Sequence, residues 1–173
     1  MTVSVQCFQN ITEIICPERF SSLSKLVRVT ALELKFIQRL NRKIKTTDIS
    51  MEDQNIATNI WYKDVQAKLE EKEKSSSTWD QLGVFKDANG LLRCKGRIQN
   101  SSLPYSTKHP ILLSRKQNFT KLVIMQSHEN VNHNGVGETL TEIRSQFWII
   151  KGRQAVKDVV SKCIHLSSRT FKF

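Results

Sequence analysis

Two histidines and a cysteine in the last third of the chain have the types and the order of metal ligands. His128 and His133 flank the stretch Glu129 to Asn132, and Cys163 follows after twenty-nine intervening residues. Distant ligands that close a loop around one ion are the pattern of small structural zinc sites. Neutral imidazole and thiolate suit zinc, which takes four ligands in a tetrahedron at such sites. A second cysteine is expected three residues after Cys163, and Leu166 stands there. His165 is a candidate fourth ligand, at a spacing tighter than the usual C-x-x-C. The competing reading is that these side chains pack in a core and hold no ion.

The spacing of the histidines constrains the backbone. Residues five apart on a helix point about 140° away from each other. His128 and His133 cannot both face one ion from an unbroken helix. Asn130, Asn132, Asn134, Gly135 and Gly137 favour a turn there. His128 is therefore expected in the last turn of a helix and His133 in the turn that follows. Cys163 is expected at the end of a later helix.

The elements that must position these residues can be read from the patterning. Ser21 or Ser22 caps a helix in which Leu23, Leu26, Val27, Leu34, Ile37, Leu40 and Ile44 recur at steps of three and four. Arg28, Lys35, Arg39, Arg42 and Lys43 are assigned to its polar face. Ser50 and Asp53 resemble a capping box with a shortened acid. They open a second helix through Ile56, Ile60, Trp61, Val65 and Leu69, with Trp61 as a core anchor of the helical hairpin. Ser75 to Ser77 reads as a linker. Gly83-Val84-Phe85 and Leu91 to Cys94 flank Asp87-Ala88-Asn89-Gly90, a β-hairpin signal. His109-Pro110-Ile111-Leu112-Leu113 is expected as another short strand, with His109 at its end rather than at a metal. Three helices follow, from Ser114 into His128, from Gly135 to Phe147 and from Gly152 to Lys162, with Phe147 to Ile150 extended and buried.

The fold class expected is mainly α with a small β-unit. A lead-in covers 1–18, a helical hairpin 19–74, a linker 75–81, the β-unit 82–113 and a three-helix bundle 114–173. A bundle of such short helices buries little apolar area, so a metal clip would offset a deficit in stability.

The chain has 173 residues and a formal net charge of +11. Residues 101–173 hold 11 basic and 4 acidic side chains, whereas 1–74 hold 12 and 10. A basic terminal module suits a polyanion, most simply nucleic acid. The bland alternative is a solvated basic face. Lys151, Arg153, Lys157, Lys162, Arg169 and Lys172 are the candidate phosphate contacts. The four cysteines lack a disulfide-framework spacing, which favours a reducing compartment, and the basic charge suits an intracellular location, nucleus or cytoplasm. No apolar run is long enough to span a bilayer, and no secretory signal is apparent. There is no Gly-rich phosphate loop, no nucleophile elbow and no Ser-His-Asp set, so neither a small-molecule substrate nor an enzymatic role is expected.

The segments LLRCKGRIQNSSLPYSTKHPILL and HENVNHNGVGETLTEIRSQFWIIKGRQAVKDVVSKC together resemble the polyprotein of BEL/Pao-type retrotransposons. They are similar to its stretch between the ribonuclease H part and the integrase catalytic core. RFSSLSKLVRVTALELKFIQRL resembles the connector helix of the same polyproteins. The resemblance implies an integrase zinc-binding domain, a small helical bundle with a His-His-Cys-Cys site. It implies that His128, His133 and Cys163 are zinc ligands, with the family's second cysteine falling on Leu166. It also implies that the carboxylate core that catalyses strand transfer would begin only after Phe173. The function expected is a retroelement-derived module that binds nucleic acid or its own kind without catalysis. Two alternatives stay open: an interaction module built on the 20–72 hairpin, and a remnant with no selected role.

Overall fold

The computed structural model describes residues 11–40, 48–73, 77–95 and 102–163. The chain divides into two compact units, Met1–Asp64 and Val65–Phe173, so that the division falls inside one helix. The fold is mainly helical with one small sheet, as the patterning leads one to expect.

In the first unit, a short helix α1 (Ile11–Ile14) and a 3-10 turn (Pro17–Arg19) precede α2 (Leu23–Leu40). Ser22 caps α2, its hydroxyl accepting from the Lys25 amide at 3.3 Å. The helix α3 (Met51–Glu73) opens on a reciprocal capping box. The Asp53 carboxylate accepts the Ser50 amide at 2.7 Å, and the Ser50 hydroxyl accepts the Asp53 amide at 3.2 Å. The two helices run antiparallel along a seam of Val27, Ala31 and Ala57. Trp61 is fully buried in this unit, its indole N–H donating to the Thr30 hydroxyl at 3.0 Å. Truncating it to alanine would cost about 3–5 kcal/mol.

One assignment on α2 is corrected. Lys35 is buried rather than on the polar face, and its ammonium donates to the Asp53 carboxylate at 2.6 Å and to the Asp48 carbonyl. Ile37 and Leu40, by contrast, are 40% and 67% exposed. The seam follows small residues that permit close helix approach, and a lysine long enough to reach an acid can be accommodated beside it. The 41–47 stretch, with Ile44, lies outside the described residues.

The second unit takes in the last turns of α3. Residues 77–81 of the expected 75–81 linker lie in the helix α4 (Ser77–Leu82). Then come β1 (Phe85–Lys86), β2 (Leu92–Arg93), a one-turn helix α5 (Tyr105–Lys108), β3 (Ile111–Leu113), α6 (Asn118–Asn130), α7 (Gly135–Arg144), β4 (Phe147–Ile149) and α8 (Gly152–Val160). The sheet order is β1-β2-β3-β4. The first three strands are antiparallel, and β4 adds parallel to β3 with Ile111 opposite Phe147. The apolar run at Phe147 thus joins the strand at Ile111 in one sheet. His109 lies at the end of α5, just before β3, with its ring against Phe85 and Tyr105.

Two polar side chains hold the sheet. Gly90, at φ +75°, completes the β1–β2 turn that the Asn-Gly pair predicts. The Asp87 carboxylate spans that turn, accepting the amides of Asn89 and Leu91, each at 2.9 Å, and the Arg93 guanidinium at 2.6 Å. Gln66 of α3 is buried and acts as a backbone splice. Its amide N–H groups donate to the carbonyls of Leu92 and Leu112 at 2.8 and 2.9 Å, and its oxygen accepts the Leu92 amide at 2.8 Å. Below them Leu69, Leu92, Cys94 and Leu112 form a buried cluster, in which burial pushes the Cys94 thiol up to about 12. The three helices α6, α7 and α8 each pack on the other two, and β4 touches α7 and α8.

Candidate metal centre

The end of α6 explains how histidines five apart come together. Val131 closes the helix, and Asn132 follows in the left-handed region at φ +52°. The Asn132 amide then donates to the Glu129 carbonyl and the His133 amide to the His128 carbonyl, both at 2.9 Å. This pair of bonds is the left-handed helix cap usually built on glycine. Asparagine is the residue that tolerates it best after glycine. The second bond ties the backbones of the two histidines directly. His133 is itself left-handed, at φ +58°. The reversal sets its ring edge-on to that of His128, with centroids 4.8 Å apart.

Cys163 arrives from the other end of the bundle. Its amide donates to the Val160 carbonyl at 3.0 Å, in the turn that ends α8. Its sulfur lies 3.4 Å from Nδ1 of His133. Ligand atoms of His128, His133 and Cys163 all lie within 4.8 Å of one another. Zinc bonds of about 2.3 Å to sulfur and 2.05 Å to nitrogen, at a tetrahedral angle, separate the two donors by about 3.5 Å. The sulfur–nitrogen distance of 3.4 Å is close to that value.

The protonation state of His128 follows from its neighbours. Its ring is fully buried, and Nδ1 lies 2.9 Å from the Thr139 hydroxyl oxygen. That hydroxyl spends its one proton on the Gly135 carbonyl, at 2.6 Å. Towards His128 it can only accept, so Nδ1 carries the hydrogen and Nε2 a free lone pair. Nε2 is buried without a hydrogen-bond partner. Burial, then the nearby His133, hold the ring below the ordinary histidine range, against an opposing pull from Glu129. A neutral ring with its outer N–H anchored and its inner nitrogen bare is the arrangement of a metal-ligating histidine. The donor set is compatible with zinc.

Residues 115–165 match the family model of the integrase zinc binding domain. The matched stretch takes in α6, α7, β4 and α8 and all three converging donors. No curated protein and no solved structure matches the chain.

The other expected site residues are placed as follows. Lys151, Arg153, Lys157 and Lys162 are exposed on and around α8. His165, Leu166, Arg169 and Lys172 lie outside the described residues. The sequence reading missed Thr139, whose partner is eleven residues away across a turn and so leaves no periodic signal. Among the described residues no group of three carboxylates brings metal-ligand atoms together, and no helix is long and apolar enough to cross a membrane.

Proposed function

We propose that this chain is a non-catalytic, nucleic-acid-binding module from a retroelement polyprotein of the BEL/Pao type, its terminal bundle pinned by zinc. His128 through Nε2, His133 and Cys163 hold the ion. His165 or solvent completes the set, because the family's second cysteine position is Leu166. Bound zinc supplies a link between the end of α6 and the residue after α8. A ligand that binds only the folded state at a hundred times its Kd adds about 2.7 kcal/mol of stability. For a bundle with helices of nine to thirteen residues that is a large share of the total.

The observation that carries this reading is a fully buried histidine with an unpartnered Nε2, its ring beside a second imidazole and a thiol whose ligand atoms lie within 4.8 Å of its own. The basic excess of residues 101–173 supports the nucleic-acid half. Duplex and single-stranded DNA binding measured at low and at moderate salt tests it. Affinity that falls steeply with salt is expected; no binding at low salt would remove that half. Leu166→Cys is expected to raise zinc affinity and melting temperature together.

A second reading, self-association through the first unit, is favoured by one feature. Leu32, Phe36 and Leu40 form a stripe along α2 that is 46%, 62% and 67% exposed. Sedimentation of the full chain tests it: a monomer at all concentrations would dismiss the stripe as an interface.

A further inference from the structure

Five cations from four separated segments converge on one cleft of the second unit. Arg115 comes from the β3–α6 connection, Arg144 from the last turn of α7, Lys151 from the turn after β4, and Arg153 and Lys157 from α8. The cleft has a volume of about 720 Å³, and no carboxylate lines it. Among the described residues none of the five forms an ion pair. Its walls include Ile143, Phe147 and Ile149, all buried apolar side chains.

We propose that this cleft is the seat of a nucleic-acid strand, holding phosphodiester groups on Arg115, Arg144, Lys151, Arg153 and Lys157. The proposal deepens the nucleic-acid reading above and rests on it. A concave surface lined by one sign of charge against low-dielectric walls focuses the field, which a flat solvated basic face does not. Residues of the first turn of α8 line the same cleft, and no side chain caps that turn. The amides of Gly152 and Arg153 have no acceptor within the helix and favour an anion there, whereas that of Gln154 donates to the Lys151 carbonyl at 3.1 Å. Arginine is suited to bidentate phosphate contact.

The cleft also has a continuation. Arg115 lines a second hollow of about 250 Å³ with Lys116 and Lys121. The one acid there, Asp158, accepts a hydrogen bond from Gln154 at 2.6 Å. A strand leaving the cleft past Arg115 therefore meets further cations, which suits a polymer of phosphates better than a single small anion.

The test measures binding of the full zinc-loaded chain to mixed-sequence single-stranded and duplex oligonucleotides across a salt series. The variant Arg115→Gln/Arg144→Gln is compared with Lys25→Gln/Lys63→Gln, a pair of exposed lysines in the first unit carrying the same charge change. The cleft pair is expected to lower the slope of log affinity against log salt by about 2, at about one for each phosphate no longer neutralised. The control pair is expected to leave the slope near that of the parent chain. Because Arg115 is half-buried, Arg153→Gln/Lys157→Gln, both exposed, serves as a second cleft pair. Tight parental binding with both cleft pairs indistinguishable from the control would overturn the cleft and leave the nucleic-acid reading standing. No parental binding at low salt would overturn both.

Discussion

Replacing Thr139 with valine removes one oxygen from the bundle at nearly constant volume, and it isolates the role of the hydroxyl beside His128. That oxygen accepts the Nδ1 hydrogen at 2.9 Å and donates to the Gly135 carbonyl at 2.6 Å. Without it, nothing selects the tautomer that leaves Nε2 bare, and nothing holds the ring plane. Outer-shell partners of metal-bound histidines typically contribute 10–100-fold in affinity, about 1.4–2.7 kcal/mol. Thr139→Val should weaken zinc by that factor in a competition titration against a chromophoric chelator at neutral pH. The metal-free variant should also lose about 1–3 kcal/mol in denaturant unfolding, since a buried N–H is left unpaired. A variant that loses stability but binds zinc with parental affinity would refute the reasoning, because Thr139 would then be an ordinary core hydrogen bond.

Other positions give independent tests. Asn132→Val forces a β-branched residue into φ +52° and should cost about 1–2 kcal/mol in denaturant unfolding, with zinc affinity falling alongside. Asn132→Gly should be neutral or stabilising in the same measurement. Asp87→Ala breaks a pair whose side chains are only 7% and 12% exposed and should cost about 3 kcal/mol by the same assay. Burial alone would raise the Asp87 carboxyl, but hydrogen bonds from Arg93 and from the amides of Leu91 and Asn89 outweigh it, so it titrates below its ordinary range. Its stabilisation should be complete above the unfolded value of about 3.9 and disappear as pH falls through the lower folded value. Acid unfolding of the parent chain should therefore be steeper than that of Asp87→Asn. The Lys35 ammonium, then the Ser50 amide and hydroxyl, hold the Asp53 carboxyl down against burial, which adds loss of the same sign in the same window.

Much of this architecture is legible in the residues themselves. The asparagines and glycines after His128 announce a reversal, and the structure makes it with Asn132 in the left-handed cap. Ser50 with Asp53, and Asp87 through Gly90, also signal their local geometry, because each uses partners within a few residues. What escapes the sequence is long-range and aperiodic. Gln66 bonds backbone that is 26 and 46 residues away. Lys35 sits where helical periodicity predicts solvent, because its partner Asp53 lies on another helix. Arg115 and Arg144 reach the basic cleft from different elements, so no spacing links them to α8. Thr139 is invisible for the same reason, although it decides which nitrogen of His128 is free.

The central claim is that the bundle is closed by a metal held between the end of α6 and Cys163. Metal content of the purified chain, measured together with its melting temperature before and after chelation, tests it most directly. One zinc per chain is expected, with a clear fall in melting temperature on its removal, and neither in His128→Ala. A chain that binds no zinc, or whose melting temperature is indifferent to chelation, would contradict the account.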